Sequence, residues 1–199
     1  MGQTIFLRTN IELKKKGLAV CSDDEYLEFC DRMKQLQDKI KTNTLVISGS
    51  ILHANKGKGT YQITALILRQ GEKELIFYHK RNPTNDIGFV SPEGPELTCV
   101  AGEELGTFQY RGVNFGIEIC LDHQNRALIN QGSKPLDVQI LIADGQCPTA
   151  RNTHLVPDGY FIHSELDHKN PDTESKKKYG STSKITATSS GPSKHAPIH

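Results

Sequence analysis

Residues 112–126 read GVNFGIEICLDHQNR. Val113, Phe115, Ile117 and Ile119 alternate with Asn114, Gly116, Glu118 and Cys120, the period of a strand whose side chains point to opposite faces in turn. The run predicts a strand ending at Cys120, with Glu118 and the cysteine on one face. Directly after it, LDHQNR brings acid, imidazole and base together, and Gln124 to Asn130 fits a short helix. A strand that runs through a sharp turn into a helix presents its last side chain to a cleft. The N–H groups opening the helix then face any negative charge that develops there. Cys120 is therefore a candidate nucleophile, against the commoner role of a free cysteine as a small buried hydrophobe.

Upstream, Tyr26, Phe29, Met33, Leu36 and Ile40 recur at three and four and predict a helix between Ser22 and Lys41, with Ser22 and Glu25 at capping-box spacing. Thr44 to Ser48 (TLVIS) is a short apolar run stopped by Gly49, as a buried strand would be. YQITALILR and ELIFYHK, separated by QGEK, predict a hairpin with a short polar turn. Residues Arg81 to Gly106 hold three prolines and four glycines and predict a long loop, a kind of segment that often carries function. It leads to a strand at Gly106 to Tyr110. VQILIAD and GYFIHSEL, after the opening stretch, predict two more strands. From Asp167 onward almost no large apolar group remains, so residues 1–166 read as one domain and 167–199 as a polar, disordered or loosely attached tail.

Twenty-four basic and 23 acidic residues leave a formal charge of +1, so no global field steers the chain toward nucleic acid or a membrane surface. A small molecule or another protein is the expected partner. Five widely spread cysteines form no short-spaced framework, which together with the lack of a signal-like N-terminus predicts free thiols in the cytoplasm. Lys56 to Thr60 (KGKGT) lacks the full phosphate-loop pattern and reads as a hairpin loop. Cys120 and His123 have C-x-x-H spacing, but no second pair completes a zinc site.

The segment FGIEICLDHQNRALINQG resembles the nucleophile region of the nitrilase, or carbon-nitrogen hydrolase, superfamily. LVISGSIL, YQITALILRQGEKELIFYHKRN and, in outline, VQILIADGQCP are similar to further segments of that family in the same order, over roughly Thr44 to Leu166. The resemblance implies an α/β fold, the αββα sandwich, incomplete at its termini because both ends are short. An incomplete sandwich exposes apolar surface, which points to a partner or a homo-oligomer. It also implies a cofactor-free hydrolase of a small non-peptide amide or nitrile, working through a thioester on Cys120. Lys80 matches the family's lysine. Its ammonium would favour the thiolate and hydrogen-bond the tetrahedral oxyanion, with the Leu121 N–H contributing to the same hole and Asp122 orienting the turn.

The family's general base is a glutamate in a Phe-Pro-Glu context, where this chain has IFLRTNIELKKKG. Arg8 stands at the matching place. Glu12 is the nearest carboxylate, although one beside Lys14 to Lys16 also fits an ordinary surface charge. Glu93, Glu96, Glu103 and Glu104 are candidates for a second acid, and Glu118 for a buried proton carrier. Two alternatives stay open: a catalytically silent relative serving as a binding or interaction module, and a Cys–His hydrolase with His123 as base.

Overall fold

The computed structural model describes residues 20–41, 43–55, 57–83, 97–143, 146–165, 184–187 and 195–197. The chain divides into two compact units, one comprising Met1–Phe77 with Asn85–Val100, the other Tyr78–Thr84 with Ala101–His199. Among the described residues no helix is long and apolar enough to cross a membrane.

In the first unit, helix α1 spans Asp23–Gln37 and starts at a complete capping box. The Glu25 N–H donates to Ser22 Oγ, and the Ser22 N–H donates to the Glu25 carboxylate at 2.9 Å. Asp23, Asp24 and Glu25 crowd its first turn, where the helix dipole favours negative charge. Ser22→Ala is expected to cost about 1 kcal/mol, read as a lower denaturation midpoint. The buried stripe is Cys30, Met33 and Gln37, flanked by Tyr26 and Ile40, while Leu36 is 41% exposed. Apolar spacing alone names Leu36 because it passes over a thiol and a carboxamide. Gln37 is held inside by donating to the Glu72 carbonyl at 2.5 Å.

Strand β1 (Val20–Cys21) pairs parallel with β2 (Leu45–Asn55), and β2 pairs antiparallel with β3 (Thr60–Arg69). β2 does not stop at Gly49. It continues through a register shift between Ile47 and Ser50, where Gly49 has φ +79°; a bulge absorbs the glycine that seemed a terminator. β4 (Ile76–His79) follows β3 in the sheet, its last two residues, Tyr78 and His79, belonging to the second unit, and β5 (Thr98–Cys99) pairs parallel with β3 inside the predicted loop. Leu66 and Leu68 of β3 are fully buried and meet Cys30, Met33 and Leu75 in the core beneath α1.

The second unit is built on a sheet ordered β11-β10-β9-β8-β7-β6. β6 (Thr107–Tyr110) and β7 (Val113–Ile119) form a hairpin across Arg111 and Gly112, which have φ +51° and +79°, the paired positive angles of a tight hairpin turn. β7, β8 (Leu136–Ala143) and β9 (Leu155–Glu165) run parallel. Two single-turn helices, α2 (Leu121–Gln124) and α3 (Ala127–Asn130), fill the first crossover, and a 3₁₀ turn at Ala150–Asn152 lies in the second. Gly116 lets α3 settle on β7, since a Cβ there would lie 2.3 Å from Leu136 and 2.9 Å from Leu128. Within the polar segment after Asp167, β10 (Lys184–Ala187) pairs with β9 and β11 (His195–Pro197) with β10; the rest of that segment lies outside the described residues. Each unit thus carries helix on sheet.

Candidate functional site

The site grows from the end of β7. The Cys120 N–H donates to the Ile142 carbonyl at 2.8 Å, one residue beyond the strand. There the backbone turns sharply: Cys120 has φ +52° and ψ −110°, a conformation that L-residues avoid and that costs on the order of 1–3 kcal/mol. The His123 N–H returns to the Cys120 carbonyl at 3.0 Å and locks the turn. Strain at the last residue before a helix is how a nucleophile elbow lifts its side chain clear of the sheet. Cys120 is half-buried, and among the described residues neither its Sγ nor the Leu121 N–H has a hydrogen-bond partner.

Asp122, fully buried one residue further on, ties this turn to the end of β4. Its Oδ2 accepts from the Tyr78 hydroxyl at 2.8 Å and the Ile119 N–H at 3.3 Å. Its Oδ1 accepts from the Arg81 N–H at 3.1 Å, the Asn82 N–H at 2.7 Å and the Asn82 carboxamide at 3.0 Å. Every donor is neutral, so the carboxylate acts as a knot and not as a salt bridge. Burial, reinforced by Asp122, pushes the Tyr78 phenol up and keeps it a donor. The expected orienting role of Asp122 has this geometry behind it.

Lys80 lies between the residues that Asp122 holds. Alternation places it on the same side of the chain as Tyr78, and it is only 5% exposed. Its carbonyl accepts from the Gly102 N–H at 2.9 Å. A Cβ on Gly102 would stand 2.2 Å from the His79 carbonyl, so glycine alone permits this approach. Among the described residues no carboxylate lies within ion-pair distance of the ammonium.

The carboxylate candidates separate cleanly. Glu118 is completely buried beneath the turn, with Oε2 accepting from His123 Nδ1 and from Gln139 Nε2, both at 2.8 Å, and Oε1 accepting from the Leu128 N–H at 3.4 Å. Among the described residues its hydrogen bonds all go to this network and none to Cys120. Glu103 and Glu104 are exposed, and their backbone carbonyls accept from the Arg81 guanidinium at 2.7 and 3.4 Å. Glu12, Glu93 and Glu96 lie outside the described residues.

His123 is corrected from a candidate base to a structural group. The Thr149 N–H donates to its Nε2 at 3.0 Å. A backbone amide can only donate, so Nε2 carries no proton and Nδ1–H donates to Glu118. Both ring nitrogens are occupied in a ring that is 0% exposed, which leaves none for Cys120 or for a metal. Gln139 completes the network by accepting from the His154 N–H at 2.7 Å. Tyr78, Asn82 and Gln139 were not singled out in the sequence; the signal for Gln139 was one amide inside an otherwise apolar strand.

No protein-family model matches the chain, and no curated protein matches it. Solved structures do. NitN amidase from Nesterenkonia sp. AN1 aligns over 94% of this chain and 79% of its own, with 10% identity and a TM-score of 0.54. A cysteine-to-alanine mutant of the amidase from the same organism, in complex with butyramide, gives 88%, 65%, 10% and 0.53. A carbon-nitrogen hydrolase from Helicobacter pylori G27 gives 96%, 70%, 12% and 0.51. The chain spans about two thirds of the length of the last two. At these identities the likeness is one of fold: the chain has the nitrilase-like α/β fold expected from its sequence.

Proposed function

We propose that this chain is a carbon-nitrogen hydrolase acting on a small non-peptide amide or nitrile. The observation that carries the proposal is the strained backbone at Cys120, φ +52° and ψ −110° at a strand-to-helix turn, which suits an attacking side chain. With an amide, the thiolate of Cys120 adds to the carbonyl carbon, and the oxyanion is met by the Leu121 N–H and the Lys80 ammonium. The C–N bond breaks, the amine leaves with a proton, and water cleaves the thioester to acid and free thiol. The proton carrier is assigned to a glutamate outside the described residues, Glu12, Glu93 or Glu96. No cofactor takes part.

Fold neighbours support the chemistry by analogy. One structure of the Nesterenkonia amidase shows covalent addition of the acetamide moiety of fluoroacetamide at its active-site cysteine. The five free thiols fit a cytoplasmic setting, and a second copy of the chain is the proposed partner. The other reading, a silent binding module, is favoured by one observation: no described carboxylate bonds to Cys120.

Alkylation separates the two. Iodoacetamide at neutral pH, applied to a Cys147→Ser background that removes the exposed competitor, should label Cys120 at least about tenfold faster than Cys99. Cys21 and Cys30, whose thiols burial pushes up, should stay unlabelled. A Cys120 no faster than Cys99 would sink the enzyme proposal.

A further inference from the structure

We infer that the first unit carries a binding site for a small phosphate monoester at the turn end of the β2–β3 hairpin. Register pairs His53 with Gln62 and Asn55 with Thr60, and alternation puts all four side chains on one face of the sheet. Helix α1 covers this face only as far as its first turn. There Tyr26 stacks on the His53 ring, 4.2 Å between centroids and 9° from parallel, and Asp23 Oδ1 lies 2.6 Å from His53 Nε2. Beyond the helix start, the face opens into a cavity of about 240 Å³, lined by His53, Asn55, Lys58, Thr60 and Gln62, with Val100 at the rim.

The chemistry of that lining is one-sided. Its polar side chains are the Lys58 ammonium, the Thr60 hydroxyl, two carboxamides and the His53 imidazole, with Tyr61 also in the wall, and among the described residues it includes no carboxylate. Asn55 Oδ1 already accepts from the Lys58 N–H at 3.0 Å, which leaves its NH₂ as the group able to donate to a ligand. Asp23, the nearby acid, is engaged with His53. A set rich in donors, with a net positive charge and held by the sheet, matches an oxyanion with several acceptors. The volume exceeds what a bare ion fills yet falls below the roughly 300 Å³ of drug-sized pockets. It therefore fits a phosphate joined to a small organic group, with Val100, 39% exposed, as the apolar wall. Lys56 to Thr60 takes part through Lys58 and Thr60 side chains on a hairpin turn, and not through a backbone phosphate loop.

Calorimetric titration of the full chain with glycerol phosphate, inorganic phosphate and acetate tests this. Saturable binding of glycerol phosphate is expected, weakened at least tenfold by Lys58→Ala and by Gln62→Leu and unchanged by Lys73→Ala. Three results overturn the site: no saturable binding, equal weakening by Lys73→Ala, which marks diffuse charge, or acetate binding as tightly as glycerol phosphate. None of the substituted residues belongs to the Cys120 turn, so a loss of binding here leaves the hydrolase proposal untouched.

Discussion

Replacing Cys120 with alanine is expected to lower hydrolysis of a short aliphatic amide by on the order of 10⁴-fold or more, the scale seen when a covalent nucleophile is removed. The fold should be unaffected, because Cys120 Sγ makes no hydrogen bond to a described residue. Cys120→Gly separates chemistry from strain. It should be equally inactive yet more stable than the parent by about 1 kcal/mol, since glycine takes φ +52° without the cost a Cβ imposes. Steady-state assays and denaturation midpoints on the three proteins measure both effects. Amide turnover surviving in Cys120→Ala would remove the nucleophile from the mechanism, and an equal midpoint for the glycine and alanine variants would remove the strain.

The second large effect belongs to the network beneath the turn. Glu118→Gln should destabilise the chain by about 3 kcal/mol or more, although it changes little but one oxygen. His123 Nδ1–H and Gln139 Nε2–H converge on Oε2 and the Leu128 N–H points at Oε1, so an amide NH₂ must confront at least one donor however it is turned. His123 cannot adapt by exchanging tautomers, because the Thr149 N–H occupies its other nitrogen. Denaturant unfolding of Glu118→Gln gives the number. A variant that stays as stable as the parent but loses activity would return Glu118 to the role of proton carrier.

What the sequence could convey depended on how far apart the deciding partners lie. The capping box, the β3–β4 turn and the strand leading to Cys120 are written in neighbouring residues, and local spacing finds them. The tilt of the buried stripe on α1 was missed at Leu36 because Gln37 is buried through a bond to the Glu72 carbonyl, thirty-five residues away. The role of Glu118 was equally out of reach. As a lone acid in an apolar strand it suggests proton transfer, and only the convergence of Leu128, His123 and Gln139 shows that it anchors a buried network. Lys80 and Cys120 were paired through resemblance. The Asp122 carboxylate that gathers Tyr78, Arg81 and Asn82 beside the Cys120 turn does so partly through backbone N–H groups that no side-chain pattern reports.

The backbone at Cys120 also bears on how this chain would drift under mutation. At most positions a lost activity leaves the old residue as good as any other, and it fades by chance. At this one, every residue with a Cβ bears the same conformational cost, and glycine alone escapes it. A lineage released from chemistry would therefore be drawn toward glycine by stability itself. That a thiol stands there instead is an argument for a working side chain, and it is independent of any partner residue.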